Sequence, residues 1–253
     1  EIKKNFVSNQ KDLRKFNLIS TNKKHAVLIH IYYEEVVEQI LEICSQEIME
    51  IFDLYFTSCS INILKKIKSK LKNAQTMLVE NRGRDSLPLI HKLKYIKKFN
   101  YESICIIHSK KSVYRKDGNK IRDALYNSLL GSEKRINEVI NIFKNSPRTG
   151  LITSAGCLLK HDEINMAHNY KKVEFISEKI KVPFKKTLFP AGSMFWVRPH
   201  ALDPLLKLDD EDFEIEEGYT DGCTPHAVER MFGVCVEFNN FKIVKLKSDI
   251  IYS

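Results

Sequence analysis

Short apolar segments alternate with amphipathic segments over the first 107 residues of the chain. The apolar segments have the length of strands and occupy residues 26–33, 53–58, 76–80 and 101–107. Between them, residues 34–48, 61–71 and 87–97 repeat apolar side chains at the spacing of an amphipathic helix. This alternation predicts a parallel sheet, because parallel neighbours need long crossover connections.

The second half of the chain is less regular. Helices are predicted over residues 119–130, 133–144, about 200–206 and about 224–232, and ordered apolar segments over residues 150–154 and 189–197. Residues 155–187 are polar, lysine-rich and weakly periodic, which indicates an acceptor-facing excursion or a mobile loop. No repeat or interdomain linker is recognisable. We therefore expect a single α/β domain over residues 1–253, with a mostly parallel sheet flanked by helices.

The composition is typical of a globular protein without a membrane-spanning helix. Apolar residues make up 43% of the chain and charged residues 29%, as in globular proteins. No segment approaches the roughly 20 apolar residues of a membrane-spanning helix, and no apolar signal segment opens the sequence. The six cysteines contain no C-x-x-C pair, so we expect reduced thiols in a cytoplasmic protein. Because the sequence begins at Glu1, we expect a piece or a processed form of something longer.

The net charge of +9 should attract phosphates, nucleic acid or anionic lipid headgroups. Lysine pairs such as Lys65-Lys66 and Lys185-Lys186 are also typical of solvated helix and loop faces, so this signal is weak. No zinc finger, RNP motif or basic zipper is present. We expect no nucleic-acid partner.

Two polar clusters follow the third and fourth predicted strands, where open α/β sheets bind ligands. The first cluster consists of Asn81, Arg82, Gly83, Arg84 and Asp85. Arginine forks suit phosphate recognition, and a glycine lets the backbone turn sharply. A turn held by an ordinary Arg-Asp pair explains the same residues equally well.

The second cluster consists of His108, Ser109, Lys110, Lys111 and Ser112. Its two lysines can neutralise a diphosphate and stabilise a leaving group that develops negative charge. The alternative is a solvated basic loop. We expect the two clusters to line one pocket at the same edge of the sheet.

A third cluster combines small residues with the one tryptophan of the chain. Gly192, Ser193, Trp196 and Arg198 are candidate contacts for a sugar ring or an acceptor. A buried core strand explains Phe195, Trp196 and Val197 as well, so the glycine and serine are the better candidates.

A fourth cluster gathers carboxylates and glycines ahead of the last predicted helix. Glu217 and Asp221 are candidates for a general base that deprotonates an attacking hydroxyl group. His226, Glu229 and Arg230 follow on the helix, where residues three apart share a face. The alternative is an acidic solvated loop with a helix cap.

The clusters occur in an order that resembles the rhamnan synthesis protein F family of bacterial polysaccharide enzymes. The resemblance covers residues 26–235 and rests on NRGRD, HSKKS, FPAGSMFWVRPHAL, FEIEEGYTDG and HAVER in that order. It implies a GT-A-like, Rossmann-like glycosyltransferase that builds O-antigen, capsule or rhamnan from a nucleotide-diphosphate sugar. Residues 26–115 would then form the nucleotide-sugar-binding half and residues 116–253 the acceptor and catalytic half.

The resemblance also implies roles for residues and partners. Asp221 would be the base with Glu217 as its substitute, and Lys110 and Lys111 would replace the usual Asp-x-Asp metal motif. Whether a divalent cation, Mg²⁺ or Mn²⁺, takes part stays open, since residues 209–212 form either a cation site or a solvated loop. The donor is guessed to be dTDP-rhamnose, and the acceptor a lipid-linked glycan at the inner face of an anionic membrane. The alternative function is a non-catalytic glycan-binding or scaffold module of a larger polymerase.

Overall fold

A computed structural model describes residues 15–16, 21–109, 118–218 and 221–247 of the chain. The strands in these ranges are β1 (His25–His30), β2 (Phe52–Ser58), β3 (Gln75–Leu78), β4 (Ser103–His108), β5 (Thr149–Ser154), β6 (Leu158–Lys160), β7 (Leu188–Pro190), β8 (Phe195–Val197) and β9 (Lys242–Leu246). Seven of them form one sheet in the order β3-β2-β1-β4-β8-β5-β9. The remaining two, β6 and β7, form a separate antiparallel pair.

The helices cover both faces of this sheet. They are α1 (Val37–Ile43), α2 (Gln46–Ile51), α3 (Ile61–Lys70), α4 (Ser86–Ile96), α5 (Gly118–Leu130), α6 (Glu133–Asn145), α7 (Glu163–Met166), α8 (Tyr170–Ile180) and α9 (Thr224–Phe238). Short 3-10 helices occupy Glu34–Val36, Ala155–Cys157, Ala167–Asn169, Pro199–Lys207 and Asp210–Asp212.

Most neighbouring strands of the sheet run parallel. β1 pairs in parallel with β2 and β4, β2 with β3, and β5 with β9. The exception is β8, which is antiparallel to both β4 and β5. The predicted α/β fold, a mostly parallel sheet flanked by helices, is confirmed, and its class is Rossmann-like.

Side chains of the central strands alternate between two buried clusters, one on each face of the sheet. In β1, Val27 and Ile29 belong to the cluster that packs under α1, α3, α5 and α6. Ala26 and Leu28 belong to the cluster under α4, α8 and α9. Strands buried on both faces read as continuous apolar runs, which explains the sequence of β1.

The prediction of an excursion or mobile loop over residues 155–187 is wrong. This stretch contains β6, α7 and α8, and α8 buries Val173, Ile176 and Ile180 against the sheet. These apolar positions follow the spacing of a helical stripe. The lysines and glutamates between them hide the stripe, because they occupy the outer face of the same helix.

Several boundaries also differ from the predicted ones. Residues 34–48 fall in a 3-10 turn and two helices instead of one helix, and the last helix continues to Phe238. Residues 200–206 lie in a 3-10 helix that contains Pro204, which cannot donate a helical hydrogen bond. The edge strand β9 was not predicted. In the parts of the chain that the structure describes, no helix is both long and apolar enough to cross a membrane.

Candidate functional site

The carboxyl ends of β1, β2 and β4 lie side by side at one edge of the sheet. His30 of β1 is opposite Thr57 of β2 and opposite His108 of β4. Parallel strands bring their ends to the same edge, so polar residues that are distant in sequence meet there. Ser109 continues from β4, and its hydroxyl accepts hydrogen bonds from the backbone N–H groups of Tyr32 at 2.7 Å and Tyr33 at 3.2 Å.

A sharp turn between β3 and α4 carries the first polar cluster. Gly83 and Arg84 have φ angles of +65° and +52°, in the left-handed region that favours glycine. A Cβ atom at Gly83 would lie 2.5 Å from Leu87 Cβ and 2.8 Å from Phe213 Cδ1. Glycine is therefore required by both the backbone conformation and the packing. The turn points the Arg84 side chain toward the acidic segment before α9.

Arg84 holds the centre of the candidate site. Its Nε and Nη2 atoms donate to Glu216 Oε2 at 2.9 Å and Oε1 at 3.1 Å, and its Nη1 lies 3.1 Å from His226 Nε2. The hydrogen bond from Arg84 is the main cause that lowers the pKa of Glu216, against the opposing effect of burial. A guanidinium with a carboxylate in its fork and a histidine beside it is an anion-recognition arrangement.

Asp85 connects the first polar cluster to the second. Its Oδ2 atom lies 3.7 Å from His108 Nε2, and the same nitrogen is 2.8 Å from the carbonyl oxygen of Gly192. His108 therefore contacts both the turn after β3 and the turn before β8. Asp85 and His108 thus meet at one edge of the sheet, and the expectation that the two clusters line one pocket stays a prediction.

The turn before β8 is tied to α9. Gly192 and Ser193 have φ angles of +87° and +54°, and the Gly192 N–H donates to Glu229 Oε1 at 2.5 Å. Glu229 Oε2 accepts from Arg230 Nη1 at 2.8 Å. Arg230 also donates to the carbonyl oxygen of Asn165. Glu229 and Arg230 thus join α9 to the Gly192 turn and to α7.

Asp221 lies just before α9, on the far side of His226 from Arg84. Its carboxylate accepts from Asn169 Nδ2 at 2.8 Å and from the His168 backbone N–H at 3.3 Å, and it lies 3.8 Å from His226 Nδ1. Burial opposes ionisation of Asp221, but hydrogen bonds from Asn169 and from backbone N–H groups lower its pKa overall. The group is therefore ionised at neutral pH.

His226 is a neutral side chain in this arrangement. Burial lowers its pKa, and the neighbouring Arg84 charge lowers it further. Its Nδ1 atom lies 3.1 Å from Cys223 Sγ, and burial raises the pKa of that thiol. The pair is a neutral imidazole and a neutral thiol, not an ion pair.

Three other candidates lie around the rim. Glu217 and Asn81 are exposed. Arg82 is half-buried and donates to the carbonyl oxygen of Asp210 at 3.1 Å, and it also forms a backbone bridge with Ile215. Arg82 thus fastens the acidic segment to the turn after β3.

Trp196 and Arg198 are not brought to this site. The Trp196 side chain is fully buried, and its indole N–H donates to the Leu129 carbonyl oxygen at 3.0 Å. Arg198 donates to the carbonyl oxygens of Thr149 at 2.9 Å and Phe143 at 2.5 Å. Because β8 is antiparallel, Arg198 lies where β5 begins, at the opposite edge of the sheet from His108.

Lys110, Lys111 and Ser112 lie outside the described residues. The acidic segment is described, and each of three carboxylates there contacts a basic side chain. Asp209 lies 2.5 Å from Lys94, Asp210 lies 2.6 Å from His91, and Asp212 lies 3.0 Å from Lys179. Over the ranges that the structure describes, no group of three or more His, Cys, Asp or Glu side chains could hold a metal ion. The described residues therefore do not fit a divalent cation.

Three buried polar residues at this edge were not predicted from the sequence. His30, Thr57 and Lys92 form a hydrogen-bonded group under the ends of β1 and β2. The burial of Lys92 could have been recognised from the sequence, because this residue falls on the apolar stripe of α4 together with Leu89, Leu93 and Ile96. A lysine on that stripe must bring its amine into the core.

The sheet order and the ionisable groups at its carboxyl edge define a Rossmann-like α/β protein with a candidate anion site. The sequence model of the rhamnan synthesis protein F family matches residues 1–240, and the chain belongs to that family. Family membership connects it with rhamnan and polysaccharide synthesis.

The chain is 31% identical over 231 residues to the uncharacterized protein WxcX of Xanthomonas campestris pv. campestris strain B100. That match covers 88% of this chain and 33% of the relative, and the same protein from a second strain of this pathovar matches to the same extent. The chain thus spans about a third of the length of the curated relatives it matches.

Proposed function

We propose that the chain is a glycosyltransferase domain that transfers a sugar from a nucleotide-diphosphate donor to a growing bacterial surface polysaccharide. Family membership supports the connection with polysaccharide synthesis. The contact of Arg84 with Glu216 and His226 is the observation that supports transfer chemistry. It places a guanidinium fork beside carboxylates at the ligand-binding edge of the sheet. A GT-A-like arrangement is part of this proposal.

The donor would lie across the ends of β1, β2 and β4. Arg84 would bind the diphosphate, and Asp85 and His108 would form the floor beneath it, because these two side chains meet at 3.7 Å. Lys110 and Lys111 follow β4 directly in sequence and would add positive charge for the leaving nucleoside diphosphate. The donor sugar is proposed to be rhamnose.

The acceptor would enter from the side of α9. Asp221 is ionised and lies beside neutral His226, so its carboxylate could accept the proton of an attacking hydroxyl. Glu217 is the alternative base, since it is exposed at the same rim. The Gly192 turn, held by Glu229, would contact the sugar. The acceptor is proposed to be a lipid-linked glycan at the inner face of the membrane.

The experiment is a donor screen followed by a turnover assay. Thermal shift across nucleotide sugars identifies the ligand, because a ligand that binds only the folded form raises its melting temperature. Release of nucleoside diphosphate in the presence of a lipid-linked glycan fraction then measures transfer. Donor consumption supports the transferase. Glycan binding without donor consumption favours the non-catalytic module instead.

Chelator treatment tests the role of a cation separately. If the lysines and Arg84 hold the diphosphate, turnover survives removal of divalent metal. Loss of turnover in chelator that Mg²⁺ or Mn²⁺ restores would reject that part of the proposal.

A further inference from the structure

Lys92 buries its amine in the core directly behind the candidate site. Its side chain is 1% exposed and is among the largest fully buried side chains of the described residues. Burial of an amine in an apolar interior is costly unless hydrogen bonds or an opposite charge compensate. A leucine would complete the apolar stripe of α4, so the lysine calls for a physical reason.

The amine reaches the carboxyl ends of the two neighbouring strands. Its Nζ atom donates to Thr57 Oγ1 at 2.7 Å and lies 3.4 Å from the carbonyl oxygen of Ile29. Thr57 Oγ1 is also 3.0 Å from His30 Nδ1. The contacts of the amine within the described residues are therefore hydrogen bonds to oxygen atoms of neutral groups.

Ionisable groups lie close to this amine. Asp85, just before α4, acts on it through its charge, and His30, at the end of β1, shares the Thr57 hydroxyl with it; His108, at the end of β4, acts on His30. Burial lowers the pKa of Lys92 to about 7, and the Asp85 charge opposes that shift. Burial, together with Lys92, lowers the pKa of His30 to about 3, so His30 stays neutral. Of Lys92 and His30, Lys92 is thus the group that gains or loses a proton near neutral pH.

An anion bound at the carboxyl edge of the sheet would change the protonation of Lys92. A nearby negative charge favours the protonated form of an amine, as Asp85 already does. The Asp85 charge acts on Lys92, and Asp85 Oδ2 lies 3.7 Å from His108 Nε2 at the proposed diphosphate position, so an anion bound there would act on the amine through a low-dielectric interior.

We propose that Lys92 is a positioning residue of the donor site: its amine holds the ends of β1 and β2 behind Asp85 and takes up a proton when a diphosphate binds at this edge. This inference rests on the proposed function, since it needs an anionic ligand there. It adds a specific residue and a pH dependence that the transferase assignment does not require.

The test compares wild type with Lys92→Met, which keeps the length of the side chain and removes the amine. UDP, dTDP and GDP are titrated into each protein by calorimetry at pH 8, in two buffers that differ in ionisation enthalpy. The expected result is net proton uptake by wild type that Lys92→Met lacks. For a shift of one pKa unit on binding, the affinity of the variant should be about twofold lower at pH 8 and about tenfold lower below pH 6, where the amine of wild type is protonated. Lys94→Met, an exposed position on the same helix, is the control and should bind like wild type.

The pH dependence of proton uptake tests whether Lys92 is the group that takes up the proton. Below pH 6 the amine is already protonated in the free protein, so wild type and Lys92→Met should show the same proton balance. The difference in proton uptake should be largest just above pH 7, the pKa of the free amine, and should disappear again at a pH above the pKa of the bound state. Equal proton uptake and equal affinity in the two proteins at pH 8 would overturn the inference.

A ligand-free measurement separates this inference from the proposed function. The unfolded chain holds the Lys92 proton up to the ordinary pKa of 10.5, whereas the folded chain releases it near 7. Wild type should therefore gain stability relative to Lys92→Met as the pH rises from 7 to 10. If urea unfolding shows this gain but no nucleoside diphosphate binds wild type, the donor site fails and the proton uptake fails with it. If the diphosphate binds and the gain is absent, only the role of Lys92 is wrong.

Discussion

Arg84 and Glu216 are joined by two parallel hydrogen bonds, Nε to Oε2 at 2.9 Å and Nη2 to Oε1 at 3.1 Å. The carboxylate occupies the fork that a phosphate group would use in the proposed donor complex. In the proposed donor complex, Glu216 would therefore compete with the ligand for Arg84. The same contact fastens the acidic segment before α9 to the turn after β3.

Glu216→Gln should raise the affinity for nucleoside diphosphates by about two- to fivefold. The reason is that a partly exposed ion pair contributes up to about 1 kcal/mol, and the ligand no longer has to displace it. Calorimetric titration measures the effect. Glu174→Gln, which removes an exposed carboxylate from α8, is the matched control and should leave the affinity unchanged. A lower affinity in Glu216→Gln would show that Glu216 supports binding instead of competing with it.

Asp221→Asn should reduce turnover by about 10²-fold or more, because removal of a general base usually costs 10²- to 10⁴-fold. The structure adds an effect on stability. Asp221 accepts from Asn169 and from the His168 N–H, so the substitution should also lower the free energy of unfolding by about 1 kcal/mol. Nucleotide affinity should stay near that of wild type. Near-normal turnover in Asp221→Asn, with turnover lost in Glu217→Gln, would assign the base to Glu217.

Gly83→Ala should destabilise the protein by about 3 kcal/mol or more. The new Cβ atom would overlap Leu87 Cβ and Phe213 Cδ1 and would also occupy the left-handed region. Gly218→Ala is the control, because its φ is +80° but no heavy atom lies within 4 Å of the added methyl group. It should cost about 1 kcal/mol, from backbone strain alone. Urea unfolding compares the two variants, and equal losses would contradict the packing argument.

Trp196→Phe should lower stability by about 1 to 3 kcal/mol and leave nucleotide and glycan affinities unchanged. Trp196 packs edge-on to Phe52 in the core, and its indole N–H bonds the Leu129 carbonyl oxygen. The measurement is urea unfolding alongside glycan binding. A loss of glycan affinity at unchanged stability would instead show that Trp196 contacts the sugar.

The strands and the flanking helices of the first half could be predicted because their signals are local. An apolar run such as β1 and an amphipathic segment such as α4 each show their periodicity within a dozen residues. The edge at which Asp85 and His108 meet could also be predicted, since parallel strands end together. The contact between Asp85 and His108 is the part of the site geometry that follows from this arrangement of parallel strands.

The remaining features of the fold and of the candidate site depend on contacts between distant parts of the sequence. The partners of the acidic segment lie on α4 and α8, over 30 residues away, and no local pattern indicates that Asp212 pairs with Lys179. The direction of β8 decides that Arg198 lies far from His108, and three residues are too few to reveal it. Glu216 and Glu217 are neighbours with the same chemistry. Only the fold shows that the first of them faces Arg84.

The most direct test of the central claim is whether the carboxyl edge of the sheet binds and consumes a nucleotide sugar. Nucleoside diphosphate release from a panel of nucleotide sugars, with a lipid-linked glycan fraction as acceptor, should be compared for wild type and Arg84→Lys. A lysine keeps the charge but loses the two-pronged contact. The account predicts release from at least one donor by wild type, and a lower affinity for that donor in Arg84→Lys. Release at the same rate and donor affinity in both proteins, or no release from any donor while glycan still binds, would contradict it.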